Sequence, residues 1–260
     1  MNNRVGRKVW PKVSVAFAAL LSVLGAFALA QSSGGINVIT FSTLQAGAAL
    51  PDTLHVIGVN KNKAQTRYTL VNDEGVTVLR ADANNSVSGL SRTVKINPAE
   101  FPILKWRWKI SNVLKNSDLK TRQGDDFPAR IYVMFDYPLE KLPFGERTKL
   151  RLARALYDPN LPAATLCYVW DGKAPAGTIA PSAYTSLVRT LVVESGGERV
   201  NRWLDVERNI AADFRAAFGD SFGNEAPTIT AVAVATDTDN TGESATAYYG
   251  DISFQKQAVK

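Results

Sequence analysis

The chain has very few of the residues on which most catalytic and metal centres depend. Its 260 residues include one cysteine, Cys167, and one histidine, His55. A single cysteine excludes an internal disulfide, and a single histidine excludes a zinc site with several histidine ligands. Any Ser-His-Asp or Cys-His site would have to use His55. Because Cys167 lies in an apolar run and His55 on the polar side of an alternating run, we predict structural roles for both.

Positive charge is also scarce beyond the first thirty residues. The whole chain carries 30 basic and 24 acidic side chains, a net charge of +6. Four of the basic residues lie within residues 1–30, so 26 remain against 24, about +2. A nucleic-acid binder needs a concentrated basic surface to displace counterions from phosphates. We therefore predict no nucleic-acid partner.

The first thirty residues have the composition of an export signal. A basic start is followed by an apolar run over 13–29, and Ala28 and Ala30 occupy small-residue cleavage positions. This pattern predicts a Sec-type signal peptide over 1–30, cleaved near Ala30, and a periplasmic or extracellular domain over 31–260 with no stable membrane span. The alternative is an uncleaved membrane anchor, because the apolar run is long for a signal core.

Short runs rich in Val, Ile, Thr and aromatic residues recur between turn residues along the remaining chain. Without alternating helices, such runs favour an antiparallel sandwich over a βαβ fold. We predict a single mainly β domain, a jelly-roll β-sandwich of galactose-binding-like type. Two segments instead have helical spacing: one covers Glu146–Tyr157, and the other begins after a cap at Asn209 and ends at Gly219.

The run LKWRWKI alternates strictly, which places Trp106 and Trp108 on one face and Arg107 on the other. We predict that the tryptophans are core, with a sugar-stacking platform as the alternative. The strand that follows GDDFPA alternates in the same way and presents Arg130 and Tyr132 on its polar face. If the two strands pair, they share one polar surface.

The segment TDTDNTGE resembles the opening of a calcium loop. Asp237, Asp239 and Thr241 would supply hard oxygen ligands, and the following glycine permits a sharp turn. The EF-hand pattern fails, however, because Tyr248 stands where a bidentate glutamate is required. A solvated turn with Asx hydrogen bonds is the alternative to calcium.

Paired carboxylates also suit glycoside hydrolysis, in which one acid protonates the leaving oxygen and a second group acts opposite it. The candidates are Asp125, Asp126, Asp237, Asp239 and Glu207. Neighbouring arginines would neutralise some of them instead. Asp125 and Asp126 are adjacent, so their side chains would point in different directions in an extended segment.

Five motifs occur in a fixed order: LKWRWKI, GDDFPARIYVMFD, CYVWDG, WLDVERNIAADFRAAFG and ATDTDNTGESATAYYGDISF. Over nearly the whole mature chain they resemble the bacterial family catalogued as domain of unknown function 3047. The resemblance implies an exported β-sandwich and assigns no catalytic residue. The closing strand AYYGDISF is also similar to the final strand of galactose-binding-like jelly rolls, many of which are carbohydrate-binding modules.

We therefore predict a non-catalytic binding protein of the bacterial envelope, with a glycan or an envelope polymer as ligand. The expected site is a polar face or rim formed by Arg107, Asp125, Asp126, Arg130, Tyr132, Tyr168 and Trp170. The alternatives are a hydrolase that acts on polysaccharide through two carboxylates and a structural envelope component without a small ligand.

Overall fold

The computed structural model describes residues 34–58, 62–142, 144–156 and 162–257. Its strands are β1 (Ile36–Ile39), β2 (His55–Ile57), β3 (Arg67–Asp73), β4 (Val76–Asn84), β5 (Gly89–Ile96), β6 (Ile103–Ile110), β7 (Ala129–Phe135), β8 (Ala164–Asp171), β9 (Ile179–Pro181), β10 (Val188–Ser195), β11 (Leu204–Asn209), β12 (Ile229–Ala235) and β13 (Ser244–Gln255). Its α-helices are α1 (Phe144–Leu156) and α2 (Ile210–Phe222). The predicted signal peptide lies outside the described residues.

The strands form two sheets that pack face to face. Sheet A has the order β11-β6-β13-β4-β3, with β1 also paired to β13, and sheet B has the order β2-β5-β12-β7-β8-β10-β9. The prediction of a mainly β sandwich is confirmed. One detail differs: β8 and β10 are parallel, because the chain crosses over through the short edge strand β9 before it forms β10.

The core lies between the two sheets and is rich in aromatic side chains. The Trp106 ring of sheet A lies 5.4 Å from Tyr168 of sheet B, and Trp108 lies 6.1 Å from Trp170. All four side chains are buried, which confirms the core assignment of the tryptophans of β6. The expectation that Tyr168 and Trp170 line a polar face is wrong, because the pleat of β8 turns both into the core.

The strands β6 and β7 do not pair, contrary to the assumption behind a shared polar face. β6 lies between β11 and β13, whereas β7 lies between β12 and β8. Arg107 therefore lies on the outer face of sheet A, and Arg130 and Tyr132 lie on the outer face of sheet B. The expected site is divided between opposite sides of the molecule.

Both predicted helices are present. The side chain of Asn209 caps α2 by accepting a hydrogen bond from the Ala212 amide at 3.0 Å. The helix continues past Gly219 because Phe222 packs on Tyr137, with ring centroids 4.7 Å apart. It ends at Gly223, whose φ of 85° favours glycine.

In the described part of the chain, no helix combines the length and the apolar character that crossing a bilayer requires.

Candidate functional site

The outer face of sheet B carries a cleft of about 660 Å³, which is within the size range of small-ligand sites. Its floor includes Tyr132, Met134 and Ala231, the outward-facing residues of β7 and β12. α1 contributes Leu150 to the lining, and the segment 184–188 forms another part of the wall. Because alternate residues of a strand face the same side, neighbouring strands form this floor together.

Tyr132 is the predicted site residue that lines the cleft. Its side chain is half-buried, and its hydroxyl makes no hydrogen bond with any residue that the structure describes. Burial raises the pKa of the Tyr132 hydroxyl well above its ordinary value, although the charge of Arg130 opposes this rise. The hydroxyl is therefore protonated at neutral pH and is available to donate a hydrogen bond to a ligand.

On the same face of β7 as Tyr132, Arg130 is the centre of a buried ion network. Its Nε donates to Asp237 at 2.8 Å, its Nη2 lies 2.7 Å from the second oxygen of that carboxylate, and its Nη1 lies 3.1 Å from Asp125. The guanidinium also stacks on the Phe127 ring, 4.5 Å from the centroid. Burial raises the pKa of Asp237 to about 7, against the lowering influence of Arg130. The network joins three segments of the chain.

Asp126 holds the segment that follows β12. Its carboxylate accepts hydrogen bonds from the amides of Asn240 at 2.9 Å and Thr241 at 2.6 Å, and from the Thr241 hydroxyl at 2.8 Å. The Asn240 side chain adds a fourth bond at 2.9 Å. Asp125 and Asp126 therefore point in different directions, as their adjacency predicts.

Asp126, Asp237 and Asp239 converge: one oxygen from each lies within 4.8 Å of the others. Together with Asp125 and Arg130, we call these residues the carboxylate network. Three carboxylates suit a hard cation such as calcium. Nitrogen and hydroxyl donors already satisfy Asp126, however, and that arrangement matches the hydrogen-bonded turn. Calcium binding at Asp237, Asp239 and Thr241 stays a prediction.

The carboxylate network supports one wall of the cleft without lining it. The Tyr184 hydroxyl donates to the Asn240 side chain at 2.9 Å, and the Ser182 hydroxyl donates to Asp125 at 3.4 Å. Tyr184 lines the cleft, and 51% of its surface is exposed. Asp125, Asp126 and Arg130 thus act on the cleft through their neighbours, rather than as the ligand contacts that the sequence predicted.

Arg107 borders a different groove, of about 480 Å³, on the outer face of sheet A. Its side chain crosses so close to Gly250 that a Cβ there would clash with Arg107 Cγ. Its guanidinium lies 4.1 Å from the centre of the Trp203 ring. Glu207 lines the same groove and pairs with Lys105 at 2.8 Å. Neither Arg107 nor Glu207 belongs to the site on sheet B.

Sequence reasoning missed Tyr184, Glu146 and Lys149, which all line the cleft. His55, predicted to be structural, also lies at its rim. Neither α1 nor the segment 184–188 contains a motif that would have indicated these residues. Cys167 is buried as predicted, and burial raises the pKa of its thiol to about 12, which favours the protonated thiol at neutral pH.

Comparison with family models gives a match over residues 52–253 to a family described as "Protein of unknown function (DUF3047)". The chain belongs to this family. The DUF3047 match covers β2 to β12 and most of β13, so it includes every residue of the carboxylate network. No curated protein matches the chain.

Solved structures similar to this DUF3047 chain include a family 30 carbohydrate-binding module of a cellulosomal cellulase of Clostridium thermocellum, at 11% identity and a TM-score of 0.37; the alignment covers 86% of this chain and 99% of the module. The carbohydrate recognition domain of Emp47p has 9% identity and a TM-score of 0.36, with coverages of 86% and 96%. An exo-beta-agarase has 11% identity and a TM-score of 0.36; the alignment covers 86% of this chain but only 25% of the agarase.

Proposed function

We propose that the protein is an exported, non-catalytic binding protein whose cleft on sheet B holds a glycan or another envelope polymer. The cleft is the observation that carries the proposal. It combines apolar floor residues, Met134 and Ala231, with the ring and hydroxyl of Tyr132. A sugar has an apolar CH face and a rim of hydroxyls, so it needs both kinds of contact.

Polar groups around the floor suit the hydroxyls of such a ligand. Thr165, Thr185 and Lys149 line the cleft, and they offer two hydroxyls and an ammonium group. The carboxylate network holds Tyr184 in the wall of the cleft through Asn240. An aromatic wall held in place before binding loses little conformational entropy when a ligand arrives.

The small number of carboxylates in the cleft favours binding over hydrolysis. Glu146 is the one carboxylate among the described residues that line it, whereas a glycosidase of the usual kind uses two. A hydrogen bond with Ser186 lowers the pKa of Glu146, and Lys149 adds to this effect. A general acid would need the opposite shift. Asp126 and Asp237 are already engaged by Asn240, Thr241 and Arg130.

A glycan array with matched variants tests the proposal. Tyr132→Ala removes the aromatic contact, and Ala231→Phe fills the floor, so each should lower glycan affinity about tenfold or more. Thr69→Phe adds the same ring to the outer face of sheet A and should leave affinity unchanged.

The other outcomes favour the alternatives. If the wild-type protein binds none of the glycans, the binding proposal is wrong and a structural envelope role is favoured. Glycan turnover that disappears in Glu146→Gln would instead identify a hydrolase.

A further inference from the structure

One face of α1 exposes large apolar side chains. Phe144 is 76% exposed and Leu152 is 60% exposed, whereas Leu150, on the opposite side, is buried against the cleft. At 3.6 residues per turn, Phe144, Thr148 and Leu152 fall within an arc of about 80° on the helix. We call these three residues the apolar stripe of α1.

Basic side chains flank the apolar stripe on both sides. Arg147 and Arg151 lie along one edge and Lys149 along the other. Within α1 four residues are basic and one, Glu146, is acidic, so the helix carries a charge of about +3. Lys149 pairs with Glu146 at 3.2 Å, but neither Arg147 nor Arg151 forms an ion pair with a carboxylate of the described residues.

We propose that α1 docks the protein on a membrane surface that contains anionic phospholipid. An exposed apolar stripe between basic residues is the pattern of a helix that lies in the plane of a bilayer interface. Arginines without a carboxylate partner in the described part of the chain are complementary to anionic headgroups, which attract basic side chains near the surface. Phe144 and Leu152 would then leave water for the boundary of the acyl chains.

This inference goes beyond the proposed function, because the apolar stripe lies on the face of α1 that points away from the cleft. Both roles are compatible on one helix, since Leu150 and Lys149 line the cleft while Phe144 and Leu152 do not. Docking through α1 would hold the cleft close to the envelope surface.

Co-sedimentation of the exported protein with vesicles tests the proposal. Vesicles that mix phosphatidylglycerol with phosphatidylcholine should bind the protein, and vesicles of phosphatidylcholine alone should bind it much more weakly. Arg147→Gln with Arg151→Gln should lower the partition coefficient about 25-fold, since each charge contributes about fivefold. High salt should also lower the partition coefficient. Phe144→Ser with Leu152→Ser should also release the protein.

Matched controls separate docking through α1 from general attraction. Lys115→Gln with Lys120→Gln removes the same charge from another exposed loop, and Val76→Ser removes an exposed apolar side chain from sheet A; both should bind like the wild type. All variants have the same N-terminal residues, so their differences report on the substituted positions.

Equal binding to both vesicle types, no binding at all, or equal losses in the controls would overturn the proposal. So would binding to an acidic polysaccharide that depends on Arg147 and Arg151 when vesicle binding does not. The stripe variants should keep their glycan affinity, so a failure here leaves the proposed function standing.

Discussion

Arg130 was predicted to contact a ligand, but in the structure it stabilises the fold. It is almost fully buried and it binds Asp125 and Asp237, which lie on two different loops. A buried charge of this kind is tolerated because its partners are in place. The residue therefore ties the floor of the cleft to the loops that support its wall.

We predict that Arg130→Ala lowers the free energy of unfolding by about 3 to 5 kcal/mol, because it leaves two buried carboxylates without their partner. Arg67→Ala removes an exposed arginine paired with Asp82 and should cost at most about 1 kcal/mol. Urea denaturation measures both. A loss for Arg130→Ala as small as that for the control would show that the network is not structurally important.

The face of a sheet on which a residue lies can be predicted from the sequence only when polar and apolar residues alternate along the strand. In β6, lysine and arginine alternate with tryptophan, so the inward position of Trp106 and Trp108 is visible. In β8 the run from Ala164 to Trp170 has little polar character, and every residue of the strand is buried. Nothing in that run distinguishes its two faces, so the sequence does not show that Tyr168 and Trp170 face the core.

At the scale of elements, calcium binding by the loop after β12 can be tested directly. It carries Asp237 and Asp239 and is held by Asp126. If calcium binds there, it binds the native state alone. At about a hundred times its dissociation constant it should then add about 2.7 kcal/mol of stability.

Thermal melts in calcium and in chelator measure this effect. Asp239→Asn should abolish the response, whereas Asp205→Asn, an exposed change on β11, should keep it. Identical wild-type melts in the two conditions would leave the loop as a hydrogen-bonded turn.

Most strands and both helices could be predicted, since their signals are local. Alternation and turn residues indicate strands, and Asn209 indicates the start of α2. β9 is hard to predict because it has three residues and includes Pro181, which weakens any strand signal. The end of α2 was placed too early because Gly219 is tolerated inside the helix, where packing of Phe222 extends it.

At the scale of the whole molecule, residues 1–30 predict that the protein is exported. Because Ala28 and Ala30 provide the small-residue pattern, the exported protein should begin near Gln31. Intact-mass measurement of protein recovered outside the cytoplasm checks this. A mass that still includes Met1 to Ala30 would favour the membrane anchor, and replacing Ala28 and Ala30 with bulky residues should block cleavage.

Long-range pairing is the part of the molecule that the sequence did not reveal. The cleft is assembled from β2, β5, β7, β8 and β12 together with α1 and the segment 184–188, which are far apart in the chain. A wrong assumption about one pair, β6 with β7, was enough to merge two opposite surfaces. Local sequence patterns predict the individual strands and helices. The order of the strands in the two sheets decides which residues share a surface.

The position of β13 has a consequence for biogenesis. It comes after every other described strand in the chain, yet it lies in the middle of sheet A, where it pairs with β1, β4 and β6. Until it leaves the ribosome, β4 and β6 have no strand to join them, and the core-facing side of sheet A stays incomplete. The sandwich therefore cannot close until β13 has been synthesised, and until then the earlier strands remain accessible to chaperones.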